Sequence, residues 1–164
     1  MENSYSFEIT NMIIKFLKDV GLQYNFDQEK GMLHFSINIK CRLQSIQYLV
    51  LIGEKEYNVY GILPIRTNYN DAAQLKEMTE FVCRANYGLR NGNFELDCRN
   101  GEIRYKSYVD CDGALPTMKV IERSIVCPAA MFKRYAEGIL QILFDGMSAV
   151  KAIELCESNI TQLM

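Results

Sequence analysis

One histidine, His34, is all the chain has as a neutral-pH acid or base, and its cysteines form no C-x-x-C pair. A histidine-activated nucleophile or a zinc centre would have to be gathered from isolated residues, so no catalytic and no metal site is expected. Long apolar runs are also missing. No stretch reaches the ~18 uninterrupted apolar residues of a membrane helix. The N-terminal MENSYSFEITNMIIKFLKDVG lacks the basic segment and plain apolar run of a secretory signal. A cytoplasmic protein without a membrane partner is expected. Charge of one sign is scarce as well: the net charge is -2 with both signs mixed, which gives no field for a nucleic-acid backbone. Tryptophan is absent, and that alone excludes nothing.

Phosphate chemistry is the next exclusion. The stretch RANYGLRNGNFELDCRNGEIRY, from Arg84 to Tyr105, is rich in glycine, but five residues on from Gly88 stands Asn93. Neither Gly92 nor Gly101 opens a G-x-x-x-x-G-K-[ST] loop, and G-x-G-x-x-G spacing is absent too. No cofactor is expected. Asp110-Cys111-Asp112-Gly113 lacks the later ligand positions of a calcium loop and reads as a polar turn.

What is present is an ordinary globular composition, 49% hydrophobic and 23% charged over 164 residues. A chain of this size buries roughly 68 to 70% of its unfolded surface, so one domain spanning residues 1–164 is expected, with no need of disulfide staples. The six scattered cysteines, Cys41, Cys83, Cys98, Cys111, Cys127 and Cys156, are expected to be free and mostly buried thiols.

Periodicity then places the elements. Ile9, Met12, Ile13, Phe16, Leu17 and Val20 form a helical stripe over Phe7 to Val20, closed by Gly21. After a short extended piece around Tyr24 and Phe26 and the turn DQEKG, Leu33, Phe35, Ile37 and Ile39 alternate as a half-buried strand with His34 on its polar side. SIQYLVLIG and YNVYGILPI form an antiparallel hairpin that is apolar on both faces. Ile46, Tyr48, Val50 and Ile52 line one side of its first strand, with Leu49 and Leu51 opposite; in the second, Val59 and Leu63 oppose Tyr60 and Ile62. Such strands are either covered on both sides or carry a surface for a partner.

Asn70 or Asp71 caps a second helix running to about Tyr87, with Leu75, Met78, Phe81, Val82 and Ala85 inward. Asn100-Gly101 predicts a type I′ hairpin that pairs Asp97 with Arg104, Leu96 with Tyr105 and Glu95 with Lys106. Its charged side chains form a ladder on one face, and Phe94, Leu96, Ile103 and Tyr105 pack under helices. Because each acid faces a base, the ladder does not suit acid–base catalysis. Pro116 and Thr117 open a helix with Val120, Ile121 and Ile125 inward. Pro128 is expected to break or kink it, and the next piece ends at Asp145-Gly146, after which Ser148 caps a short last helix.

The run from Phe81 through Gly113, with Asn86, Gly92, Phe94, Glu95, Leu96, Gly101, Arg104 and Tyr105, and the ending Gly146, Ser148, Ala152 and Ile153, resembles the YbjN family of proposed bacterial sensory transduction regulators. The resemblance implies one YbjN-like domain with an α+β fold similar to type III secretion chaperones: helix, three antiparallel strands, helix, two-strand hairpin, C-terminal helices. It also implies a homodimer that binds another protein and has no catalytic residues. The extra C-terminal pieces, broken at Pro128 and Gly146, are placed to cover surface that a chaperone leaves open.

The expected function is a non-catalytic cytoplasmic protein-interaction module, regulatory or chaperone-like, with Tyr48, Val50, Tyr60 and Ile62 of the two-sided hairpin as its interface. The alternative is a small-molecule sensor with a pocket between the second helix and the sheet.

Overall fold

Six antiparallel strands in the order β1-β2-β3-β4-β6-β5 form the only sheet among residues 5–158, which the computed structural model describes. In chain order the elements are α1 (Phe7–Asp19), β1 (Tyr24–Asp27), β2 (Met32–Asn38), β3 (Ser45–Ile52), β4 (Glu56–Arg66), α2 (Ala72–Asn86), β5 (Asn93–Asp97), β6 (Glu102–Asp110), α3 (Met118–Asp145) and α4 (Ala149–Glu157). The α+β architecture is as expected. The piece around Tyr24 and Phe26 is a full edge strand, so four strands precede α2 where three were expected.

Each helix starts where a side chain can take up orphan amides. Ser6 Oγ accepts from Ile9 N at 3.2 Å, Asp71 Oδ1 from Ala73 N and Gln74 N at 3.0 and 3.1 Å, and Thr117 Oγ1 from Val120 N at 3.3 Å. Ser148 makes no such bond; Glu77 Oε2 reaches over from α2 and accepts from Ala149 N at 2.8 Å. The helices pack on one face of the sheet, burying Ile9, Ile13 and Leu17 of α1, Met78 and Phe81 of α2, and Ile121, Ile125, Phe132, Tyr135 and Ile139 of α3. Val20, expected on the apolar stripe of α1, and Val120, expected inward, are both exposed.

Pro128 does not end its helix. α3 runs for 28 residues, about 42 Å at 1.5 Å per residue, straight through it. A proline has no amide for the carbonyl one turn back, here Ser124. The sheet supplies polar groups at that turn: Tyr48 Oη donates to Ile125 O at 2.7 Å, and Tyr57 Oη shares a hydrogen bond with Ser124 Oγ at 3.1 Å. Burial pushes the Tyr48 hydroxyl pKa well up, and that of Tyr57 up to about 12, so both stay protonated. The proline ring meets β4 at Gly61, where an added Cβ would lie 2.7 Å from Pro128 Cβ. Helix and sheet therefore approach as closely as backbone allows. Tyr48→Phe keeps the ring and strips the Ile125 carbonyl of a buried donor, so a loss of about 1 to 3 kcal/mol in urea unfolding is expected.

The β5–β6 hairpin has the expected faces but another register. Asp97 pairs with Glu102, Leu96 with Ile103, Glu95 with Arg104 and Phe94 with Tyr105, two residues away from the type I′ pairing. The loop is four residues long, with Gly101 at φ +75 and Asn100 outside the left-handed region that a type I′ turn requires. Side chains impose the longer loop: Asp97 Oδ1 accepts from Arg99 N at 2.9 Å, and Asn100 Oδ1 accepts from Glu102 N at 2.9 Å. All six cysteines are free, but only Cys111 and Cys156 are buried, while Cys83 and Cys98 are exposed. The expectation of mostly buried thiols is corrected on that point.

Candidate interaction face

A strand turns alternate side chains to opposite sides, and with the helices all on one side the other is left uncovered. Register places its side chains in rows. His34, Leu49, Tyr60, Lys106 and Asn93 form one, Ser36, Gln47, Ile62, Arg104 and Glu95 the next, and Met32, Leu51, Asn58 and Tyr108 a third. At the centre Met32, Leu49, Leu51, Tyr60 and Ile62 adjoin one another, and Tyr108 beside them is 55% exposed.

Tyr60 is only 8% exposed although no helix covers it. The Arg104 guanidinium lies 4.5 Å above its ring and the Lys106 ammonium 6.0 Å from the centroid, so cationic side chains from β6 roof the aromatic. Arg104 Nε also donates to Glu95 Oε2 at 2.6 Å, with Glu102 Oε1 4.0 Å from Nη1, which fixes its position over Tyr60. Asp97 takes no part in that ladder. Its carboxylate accepts two bonds from the Arg99 guanidinium at 2.9 and 2.8 Å, and these hold its pKa down at about 2.

The four residues proposed from sequence do not share a surface. Tyr48 and Val50 are 2% and 0% exposed on the helix side, where Tyr48 stacks on Phe35 at 4.7 Å. Tyr60 and Ile62 belong to the uncovered face. The interface expectation is corrected for the first pair: the register sets Tyr60 opposite Leu49 and Ile62 opposite Gln47, so Tyr48 and Val50 point to the other side, while Tyr60 and Ile62 share the face of Leu49. Arg104, Lys106 and Tyr108 were not foreseen as its members; the alternation along β6 carries their signal, once β6 is known to lie beside β4.

His34 is exposed, with Asn25 and Leu49 as its cross-strand neighbours. Among the described residues no cluster of three or more histidine, cysteine or acidic side chains is placed to hold a metal. No described helix is long and apolar enough to cross a membrane. The space between α2 and the sheet is filled by an aromatic cluster, with Phe81 and Tyr135 6.0 Å apart and Phe94 and Tyr135 5.4 Å apart. A depression of about 420 Å³ lies elsewhere, between the start of α2 and the α3–α4 junction, lined by Gln74, Glu77, Phe144 and Met147.

These features define an α+β protein built on a sheet covered by helices on one face and bare, with an apolar centre, on the other. A family model for YbjN, described as "Putative bacterial sensory transduction regulator", matches residues 10–141, and the chain belongs to this family. A chain in the crystal structure of the ExsC-ExsE complex is similar in shape, with 13% identity and a TM-score of 0.47 over 77% of this chain and 92% of that one. No curated protein matches the sequence.

Proposed function

We propose that the chain is a non-catalytic protein-interaction module of regulatory type, that it is a homodimer in the cytoplasm, and that it engages another protein through the uncovered sheet face. The observation that carries this reading is the contiguous apolar centre of that face, formed by Met32, Leu49, Leu51, Tyr60, Ile62 and Tyr108. A continuous apolar patch on a sheet face that no helix covers marks an association surface in soluble proteins. The polar surround, with Arg104, Lys106, Gln47 and Asn93, matches the rim-and-core anatomy of protein interfaces. Membership in a family of proposed sensory regulators supports the same reading.

The test is Ile62→Glu, which places a carboxylate at the centre of the face. Melting is expected within about 1 kcal/mol of the parent, as for a half-exposed position. Light scattering at micromolar concentration should report a lower mass than the parent, and capture of partner proteins by the tagged chain should fall by about tenfold or more. A parent protein that is strictly monomeric and binds no hydrophobic dye, with capture unaffected by Ile62→Glu, overturns the proposal.

A further inference from the structure

A sheet edge exposes a row of backbone donors and acceptors that another strand can pair with, and proteins close such edges explicitly. β5 is one of the two edges of this sheet. Near its start, Asn86, the last residue of α2, does with its side chain what a seventh strand would do with its backbone. Asn86 Oδ1 accepts from Phe94 N at 2.7 Å, and Asn86 Nδ2 donates to Phe94 O at 2.9 Å. One primary amide thus meets both outward groups of one edge residue, in the donor-and-acceptor arrangement of a peptide unit, with Asn93 Nδ2 a second donor to Phe94 O at 3.2 Å. Residues two apart in a strand turn their backbone groups the same way, so Leu96 presents its N–H and C=O outward beside Phe94. Among the described residues no side chain hydrogen-bonds to the Leu96 backbone as Asn86 does to Phe94.

The geometry points to the β5 edge as a strand-addition site that Asn86 holds closed, and to an extended segment of another protein as its occupant. Such a segment would displace the Asn86 amide, take over its two bonds at Phe94 and add those at Leu96. Its side chains would alternate. Those on the helix side would adjoin half-buried Leu96 and be apolar, while those on the other side would stand beside Asn93, Glu95 and Asp97 and be polar. Asn86 is a competitor for the occupant here, so the apparent affinity of wild type is reduced by the fraction of time the amide is engaged. This edge is distinct from the uncovered face and does not depend on it.

The probe is a short fluorescent peptide of alternating valine and lysine, blocked at both ends, titrated against the full chain by anisotropy. Asn86→Ala is expected to bind it about tenfold or more tighter than wild type, because two competing hydrogen bonds are gone. The same peptide N-methylated at alternate residues, unable to pair, is expected to bind neither protein. Wild type and Asn86→Ala binding alike, or the methylated peptide binding as well as its parent, overturns the proposal. Should Asn86→Ala fail to fold, Asn86→Leu, which keeps the side-chain bulk without charge and loses both bonds to Phe94, is read by the same criterion: tighter binding than wild type supports the site, and equal binding overturns it.

Discussion

Gly101→Val is expected to lower the melting temperature by roughly 8 to 16 °C, from a loss of about 4 kcal/mol in a chain of this size. Two costs combine. At φ +75 a β-branched side chain is strained, and an added Cβ would overlap the carbonyl oxygen of Thr67. That second cost is the larger, because Thr67 N donates to Gly101 O at 2.9 Å, so the two backbones are clasped together and neither can withdraw alone. Gly101→Ala separates the effects: it lacks the β-branch but meets the same oxygen, so most of the loss should persist. Thermal melts that leave both variants within a degree of wild type would refute the clasp.

Phe132→Ala should cost about 3 to 5 kcal/mol in chemical unfolding, as large-to-small changes at fully buried aromatics do. Phe132 is completely buried, and its ring stands edge-on to Phe94 at 5.4 Å, which in turn meets Tyr105 at 4.9 Å and Tyr135 at 5.4 Å. This cluster is where α3 grips the β5–β6 hairpin. Removing one ring opens a cavity that Gly61 on the facing strand has no side chain to fill. Phe132→Leu, which refills most of the volume, is expected to lose less than about 1.5 kcal/mol. Equal losses for the two variants would mean that the ring geometry, rather than the occupied volume, sets the stability.

Local patterns in the chain foretold much of this fold. The stripe of Ile9, Ile13 and Leu17, the cap at Asp71 and the alternation of Leu33 and Phe35 all depend on neighbours in sequence, and each appears as read. Pro128 depends on partners far away, and the hairpin register on side-chain bonds inside the loop together with one distant clasp. Pro128 stays inside a helix because Tyr48, Tyr57 and Gly61 of the sheet meet it. Asn100-Gly101 is drawn into a four-residue loop by the Asp97 and Asn100 side chains, with Thr67 clasping Gly101. The register slipped by two residues, an even number, so every side chain kept its face. The candidate site was half legible for the same reason: alternation marked β3 and β4 as apolar on both sides, but which side the helices would leave bare is decided only by tertiary packing.

The strand order also governs how the chain can fold. β1 to β4 are consecutive hairpins, and β5–β6 is another, so each group can close through short loops. Only the β4–β6 pairing, from Glu56 with Asp110 to Arg66 with Glu102, joins them, and all of α2 intervenes. The entropy of closing that long loop is paid once, at a single seam, before the aromatic cluster can assemble across it. Destabilising the seam should therefore slow refolding, whereas changes confined to β1 or β2 should chiefly hasten unfolding.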